Sequence, residues 1–162
     1  KAAAEMIERV ASYIDKEVAS RIDSGTFHAV SYRWLKKFNI EVSLKQPAEL
    51  KRLFRSVYEK RSFHHLSEEG EPYGSQYLYD LFSYYQNTAI DEDFTIWIDK
   101  NKPEHKIFAD IYADIFDEFE ILKKEYGFAN FNDLLIFFRD ALKSNKVPFK
   151  EVLIDEYQDT NL

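Results

Sequence analysis

The sequence predicts a mainly α-helical fold with short α/β segments at both ends. Only 4 of the 162 residues are glycine and 4 are proline, which favours long helices over many turns. Apolar residues recur at helical spacing through most of the chain. The exception is the aliphatic run Val152-Leu153-Ile154, which is typical of a strand buried on both faces of a parallel sheet. We expect a second, very short strand at Thr26-Phe27-His28, and therefore two short parallel strands in all.

The composition is that of a globular protein with a core built largely from aromatic rings. Aromatic residues make up 17% of the chain, with 14 Phe and 11 Tyr. The absence of cysteine excludes disulfides and thiolate metal sites. The longest apolar run, residues 134–138, is too short to span a bilayer, and no signal-peptide pattern is present. We therefore expect a cytoplasmic protein without a membrane partner.

Charge is unevenly distributed along the chain. Residues 1–65 hold 13 basic and 8 acidic side chains, a net charge of +5, whereas residues 66–162 hold the remaining 9 and 21, a net charge of −12. The overall charge of −7 argues against a protein that coats nucleic acid over its whole surface. The basic first part is compatible with a local surface that contacts phosphates.

Two amphipathic helices are predicted in the first forty residues. The first runs from Ala2 to about Ser20, and the second follows a turn at residues 23–25 and the short strand. Their apolar stripes consist of Met6, Val10, Ile14 and Val18 in the first helix and of Val30, Trp34, Leu35 and Phe38 in the second. The predicted order is therefore helix, turn, short strand, helix.

A helix with a basic face is predicted to begin at Pro47, a residue that suits the first turn of a helix. Lys51, Arg52 and Arg55 lie opposite its apolar stripe. This face is a candidate for contact with a DNA backbone, although a solvated polar face is the commoner meaning of such a pattern.

The rest of the middle region is also predicted to be mainly helical. Helices are expected from Tyr77 to near Asn87 and from Pro103 to about Tyr126, the latter with an acidic, solvated outer face. Residues 94–98 are compatible with a helix or a strand. The pair His64-His65 lies in a predicted loop, and neighbours in sequence rarely share one metal ion, so we expect no metal site there.

Two carboxylates, Asp155 and Glu156, directly follow the predicted last strand. Carboxylates at this place lie where open α/β sheets bind their ligands. A nucleoside triphosphatase needs one carboxylate for Mg²⁺ and one that acts on the attacking water. The alternative is an acidic surface turn after a core strand.

The tripeptide Thr26-Phe27-His28 combines a hydroxyl, an aromatic ring and an imidazole. At a strand-to-helix corner these groups can contact a phosphate and a stacked base of single-stranded DNA. In the alternative interpretation Thr26 caps the next helix, Phe27 belongs to the core and His28 is solvated.

Four segments of the chain resemble motifs of the UvrD/Rep/PcrA-like superfamily 1 DNA helicases. Asp155-Glu156-Tyr157-Gln158-Asp159-Thr160-Asn161 resembles motif II, Gly25-Thr26-Phe27-His28-Ala29 resembles motif Ib, and Lys1-Ala2-Ala3-Ala4-Glu5-Met6 resembles the end of motif Ia. Asn130-Phe131-Asn132-Asp133-Leu134-Leu135 resembles the Asp-Phe-Asp-Asp-Leu-Leu segment before motif II, with asparagine in place of two aspartates. The four segments follow one another in the order of the family.

The resemblance implies an internal part of an ATP-dependent DNA helicase that translocates on single-stranded DNA and unwinds duplex DNA. Residues 1–40 would belong to the RecA-like domain 1A, a P-loop NTPase domain. Residues 41–126 would form its helical 1B-type insertion, and residues 127–162 would return to domain 1A and end in motif II, the Walker B motif.

The resemblance also implies roles for individual residues in binding ATP and Mg²⁺. Asp155 would hold Mg²⁺, through water, with Glu156 beside it as the base that activates the hydrolytic water. Gln158 would sense the γ-phosphate and couple it to DNA movement. The residues that would lie on the DNA track are Lys1, Thr26, Phe27 and His28.

The sequence contains no Gly-x-x-x-x-Gly-Lys-Thr/Ser phosphate loop, and both ends look cut. We therefore expect an inactive fragment with neither ATP nor Mg²⁺ bound. One alternative is a non-catalytic helical module that binds DNA or protein, and another is part of a helicase–nuclease of the RecB type. The third is a metal-dependent hydrolase that uses Asp155, Glu156 and Asp159 directly.

Overall fold

The computed structural model describes residues 2–61, 73–89 and 91–157. Two compact units are present. The first combines the chain up to Ser43 with Asp133–Pro148, and the second combines Leu44–Asn132 with the residues from Phe149 onwards. About 70% of the described residues are helical, which confirms the prediction of a mainly helical fold.

Eight α-helices and two short strands are assigned to the described residues. The helices are α1 (Ala2–Tyr13), α2 (Lys16–Ala19), α3 (Phe27–Lys37), α4 (Pro47–Lys60), α5 (Ser75–Thr88), α6 (Phe94–Asn101), α7 (Ala109–Glu125) and α8 (Phe131–Ser144). A 3₁₀ helix, Pro103–Phe108, leads directly into α7. The strands are β1 (Ser43–Leu44) and β2 (Phe128–Ala129).

The first unit has a small apolar core and a group of polar contacts between Asp23, in the turn before α3, and two residues of α3. Leu35 of α3 packs with Leu134 and Ala141 of α8. Asp23 forms an ion pair with Arg33 and accepts a hydrogen bond from the indole Nε1 of Trp34 at 2.7 Å. Although partial burial opposes it, this pair of contacts lowers the pKa of Asp23. These contacts to Asp23 fix the turn that leads into α3.

The second unit is built around aromatic rings contributed by α4, α5, α6 and α7. Phe54 is fully buried at its centre and meets Phe119 edge to face, with ring centroids 5.1 Å apart. Tyr79 and Phe116 also contact Phe54, at 5.6 and 6.1 Å. The predicted ring-built core is therefore present, and edge-to-face pairs of this kind stabilise a fold beyond the area that they bury.

Two predictions about helices are corrected or settled by the structure. The predicted single helix from Ala2 to about Ser20 is two helices, because Asp15 interrupts it and accepts a hydrogen bond from the backbone N–H of Glu17. Residues 94–98 are helical, because the Asp93 carboxylate caps the backbone N–H groups of Thr95 and Ile96.

Two short parallel strands are present, as predicted, but neither lies where a strand was expected. β1 pairs with β2, and the N–H of Lys45 donates to the carbonyl of Ala129 at 2.9 Å. The predicted strand at Thr26-Phe27-His28 is wrong, since these residues form the cap and first turn of α3.

The predicted buried strand Val152-Leu153-Ile154 is also wrong. These residues are in no strand, and Leu153 is 94% exposed. A strand of a parallel sheet requires neighbours that satisfy its backbone hydrogen bonds, and none of the described residues pairs with this run. In a separate finding, no described helix has the length and apolar character needed to cross a membrane.

Candidate functional site

The predicted catalytic carboxylates lie in an exposed turn near the end of the described chain. Asp155 accepts a hydrogen bond from the backbone N–H of Glu156 at 3.0 Å. Glu156 has a φ of +51°, in the left-handed region that residues with a Cβ seldom occupy. Both side chains are exposed and accessible to a ligand. The predicted γ-phosphate sensor, Gln158, and Asp159 lie outside the described residues.

The donor set of this turn suits an ion that takes few ligands from the protein. Within the parts of the chain that are described, no three acidic or histidine side chains are grouped closely enough to hold a metal ion. Mg²⁺ in nucleotide sites is bound through one or two carboxylates, with phosphate oxygens and waters as its other ligands. Asp155 and Glu156 therefore fit Mg²⁺ delivered with a nucleotide, and they do not form a complete protein cage.

The candidate DNA residues Thr26, Phe27 and His28 begin α3. The Thr26 hydroxyl accepts a hydrogen bond from the N–H of Ala29 at 3.2 Å, which confirms the capping alternative. Phe27 is 49% exposed, so the alternative that placed it in the core is wrong. Its ring is available for stacking, whereas the Thr26 hydroxyl is engaged at the cap. Lys1 lies outside the described residues, and so does the pair His64-His65.

The three basic side chains predicted on one exposed face of α4 lie in different environments, since Arg52 and Arg55 are exposed and Lys51 is half-buried against α5. Lys51 lies 3.3 Å from the Asp80 carboxylate and 5.4 Å from the centre of the Tyr79 ring. Arg55 pairs with Glu59 one turn along the helix at 2.6 Å. Arg52 is exposed and has no ion pair among the described residues. Exposed pairs of this kind are weak and can exchange for a phosphate.

A groove of about 260 Å³ in the second unit joins this helix to the segment before α8. It is formed where the start of α4, the middle of α5 and the start of α8, with the residue before it, meet. Its walls are Lys45, Pro47, Leu50, Lys51, Tyr79, Asp80, Ser83, Asn130, Phe131 and Asn132. Sequence reasoning did not predict the groove, because its three segments are separated by dozens of residues.

The groove brings together lysine ammonium groups, an exposed aromatic ring and polar side chains that form no hydrogen bond with another described residue. The ammonium group of Lys45 lies 4.5 Å from the centre of the Phe128 ring and 3.5 Å from the Glu49 carboxylate. The side chains of Ser83 and Asn132 have no hydrogen-bond partner among the described residues. Phe131 is 43% exposed. Lysines, a ring and free hydrogen-bonding groups are the elements with which proteins hold single-stranded nucleic acid.

The chain is similar to curated helicases over nearly its whole length. It is 25% identical to the ATP-dependent DNA helicase PcrA of Leuconostoc citreum and 26% identical to DNA helicase II of Haemophilus influenzae, with 99% of this chain covered in each case. It spans only 22% and 23% of the length of these two relatives.

A shorter match links the chain to a helicase–nuclease. It is 35% identical, over 44% of its length, to an ATP-dependent helicase/nuclease subunit of Listeria innocua, of which it covers 7%. No solved structure matches the chain significantly. The sequence model of the UvrD/REP helicase N-terminal domain matches all of residues 1–162. The chain therefore belongs to the UvrD/REP helicase N-terminal domain family.

Proposed function

We propose that this chain is the part of an ATP-dependent DNA helicase that carries the Mg²⁺- and water-activating carboxylates of the motor together with a surface for single-stranded DNA. The observation that carries the proposal is the match of the whole chain to the UvrD/REP helicase family. The exposed pair Asp155 and Glu156 and the groove beside α4 are the two places where this function would be performed.

In this proposal residues 1–40 and 127–162 belong to the RecA-like domain 1A, and residues 41–126 are the 1B-type insertion. The division of the chain supports part of this arrangement, since Leu44–Asn132 forms the bulk of one compact unit and the segments up to Ser43 and from Asp133 to Pro148 form the other. The residues from Phe149 onwards, which the proposal assigns to domain 1A, group with Leu44–Asn132. An insertion that folds around its own core explains why the second unit has the larger aromatic cluster.

The proposed ATP chemistry depends on the carboxylate pair. Asp155 would hold Mg²⁺ through water, Glu156 would accept the proton of the attacking water, and Gln158 would sense the γ-phosphate. The ion supplies charge neutralisation of the β- and γ-phosphates. A phosphate-binding loop, which residues 1–162 do not contain, supplies most of the nucleotide affinity in such sites.

The proposed DNA binding depends on Phe27, His28 and the groove beside α4. An exposed ring stacks on any base, and lysine ammonium groups contact the backbone without regard to sequence. Lys51, Arg52 and Arg55 lie on the helix that forms one wall of the groove, so phosphates can exchange for the weak ion pairs of this face. We infer binding of single-stranded DNA with strong dependence on salt.

Charge reversal on α4 tests the DNA part of the proposal. The variant Lys51→Glu/Arg52→Glu/Arg55→Glu is expected to bind a fluorescent oligo-dT at least about tenfold more weakly, with a slope of log K against log salt that is smaller by up to about 2. The matched control Lys100→Glu/Lys106→Glu/Lys124→Glu makes the same change in net charge at residues that lie outside α4 and do not line the groove, whereas Lys51 lines it and Arg52 and Arg55 lie on the same helix. Equal losses in both triple variants, or binding indifferent to salt, would contradict the groove assignment.

Substitution of Glu156 tests the ATP part in the full-length protein. Glu156→Gln is expected to lower ATP turnover by orders of magnitude and to leave nucleotide binding largely intact, because the amide keeps the shape and loses the base. Hydrolysis that survives the substitution would show that Glu156 is not the base. The 162-residue chain alone is expected not to hydrolyse ATP, and turnover by it that Glu156→Gln abolishes would contradict this expectation.

A further inference from the structure

A continuous chain of four polar side chains runs from the core of the second unit to the wall of the groove. The Asn130 amide donates to Gln86 Oε1 at 2.8 Å, and the Gln86 amide donates to Glu120 Oε1 at 3.1 Å. Lys123 completes the network with its ammonium group 2.8 Å from the same carboxylate oxygen. The network therefore links α5 and α7 to the residue that precedes α8.

The inner end of this network is held firmly because it contains a buried charge. The Lys123 side chain is 2% exposed, and its ammonium group lies 5.3 Å from the centres of both the Phe82 and Phe119 rings. Removing the partner of a buried charge is strongly destabilising. Glu120 is consequently fixed by Lys123, and Gln86 is fixed in turn by Glu120.

The direction of the hydrogen bonds is imposed by chemistry. A carboxylate only accepts hydrogen bonds, so Gln86 must present its amide N–H to Glu120 and its oxygen to residue 130. Asn130 must then donate, which an aspartate at this position is unable to do. Asn130 stands where the Asp-Phe-Asp-Asp-Leu-Leu segment has its first aspartate. Because Gln86 donates to Glu120, only a donor such as this asparagine can complete the network at position 130.

Asn130 stands at the outer end of the network and lines the groove next to Phe131 and Asn132. It is 7% exposed, so its position is set by the protein and not by solvent. We propose that Gln86, Glu120 and Lys123 are positioning residues that hold the groove wall Asn130-Phe131-Asn132 in the geometry that receives a DNA strand. This inference rests on the proposed DNA-binding function of the groove.

Three variants of the chain test whether the donor-to-acceptor direction of the hydrogen bonds in this network matters for DNA binding. Asn130→Asp leaves two acceptors facing each other and is expected to weaken oligo-dT binding about tenfold. Asn130→Asp/Glu120→Gln/Lys123→Met, which also replaces the buried ion pair by neutral side chains, is expected to bind within about threefold of the unmodified chain, because the introduced glutamine then donates to Gln86 and Gln86 donates to the introduced aspartate. This triple variant carries the same net charge as Asn130→Asp, so its recovery does not come from charge. Glu120→Gln/Lys123→Met alone is expected to retain binding, since Gln86 can then pair with Asn130 in either direction.

A matched control separates charge from position. Asn132→Asp adds the same charge to the same groove outside the network, and its loss of affinity is expected to be smaller and not to be recovered by Glu120→Gln/Lys123→Met. Thermal unfolding of each variant, followed by circular dichroism, shows whether the protein remains folded at the temperature of the binding assay. A purely structural role would lower the unfolding temperature of Asn130→Asp and leave its DNA affinity equal to that of Asn132→Asp.

The outcomes distinguish this inference from the function on which it rests. Equal, unrecovered losses for Asn130→Asp and Asn132→Asp would overturn the positioning role while DNA binding by the groove stands. An unmodified chain that does not bind oligo-dT would overturn the proposed DNA-binding function itself, and the positioning role with it. Recovery by Glu120→Gln/Lys123→Met that is confined to Asn130→Asp would support both.

Discussion

Lowering the pH is expected to destabilise the second unit through one buried histidine, His105. Its side chain is 1% exposed and lies between the rings of Tyr73 and Tyr112, with centroids at 4.5 and 6.0 Å. The Tyr77 hydroxyl lies 2.8 Å from Nε2, and Nδ1 has no hydrogen-bond partner among the described residues. Protonation would therefore place a positive charge on a buried ring whose one hydrogen-bond partner is neutral, and desolvation makes that charge costly.

The charges near His105 do not offset this cost. Burial lowers the pKa of His105, the Lys102 ammonium lowers it further, and Glu104, 3.9 Å from Nε2, opposes both. Burial raises the pKa of Tyr112 to about 12, so this ring stays neutral and supplies no counter-charge. The folded protein consequently binds the proton of His105 less readily than the unfolded chain does.

The sign of the pH dependence follows from this difference. Above the unfolded pKa, about 6.5, both states are neutral at His105 and the full stability is present. As the pH falls below 6.5 only the unfolded chain gains the proton, and the free energy of unfolding falls by at most about 1.4 kcal/mol per pH unit until the folded pKa is reached. Between pH 6.5 and pH 5 the loss is therefore at most about 2 kcal/mol.

Urea unfolding followed by circular dichroism at pH 7, 6 and 5 measures this loss. His105→Phe is expected to flatten the dependence on pH, whereas His28→Gln, at a half-buried helix start, is expected to retain it. The lowered pKa values of Asp23, Asp93 and Asp140 act in a separate window, because the stability that they contribute is lost only below about pH 4. The reasoning is refuted if His105→Phe keeps the slope of the unmodified chain.

The remaining predictions concern stability and can be measured by chemical or thermal unfolding. Phe54→Ala is expected to lower the free energy of unfolding by about 3–5 kcal/mol, and Phe137→Ala, half exposed on α8, by much less. Thr26→Ala is expected to cost about 1 kcal/mol because it removes the cap of α3, and Thr26→Ser is expected to cost little; equal costs would show that the hydroxyl does not act as a cap. Gly127→Ala is expected to cost about 1 kcal/mol because Gly127 ends α7 with a φ of +63°.

Helix starts were predicted well where a local signal dominates. Pro47 begins α4 as expected, and the Glu49 carboxylate accepts a hydrogen bond from the backbone N–H of Gln46 at 3.2 Å, which helps to fix this start. The errors arose where a longer pattern was given more weight than a cap. The stripe from Met6 to Val18 suggested one continuous helix, although Asp15 is a strong cap residue. Asp93 is likewise a strong N-cap residue, and its presence before residues 94–98 favours a helix over a strand there.

The candidate site was predictable only where it is contiguous in sequence. Asp155 and Glu156 are found by their motif, and the family that the motif suggested is shown by the whole-chain match. The groove was not predictable, because the meeting of Lys45, Tyr79 and Asn132 depends on how α4, α5 and the start of α8 pack. The same holds for the buried Lys123, since α7 was expected to present only a solvated polar face.

The exposed run Val152-Leu153-Ile154 shows that a motif can be recognised in the sequence while the backbone that should position its carboxylates is not in a strand. Burying each of these side chains would contribute about 1.5–3 kcal/mol, yet all three are exposed and no described strand pairs with them. Asp155 and Glu156 follow this run directly, so their positions depend on the backbone that the run adopts. Catalysis requires such groups to be held within about 0.5 Å of their working geometry. If the proposed function is correct, pairing of this run with neighbouring strands is therefore the step that would hold the two carboxylates in the geometry that Mg²⁺ and water require.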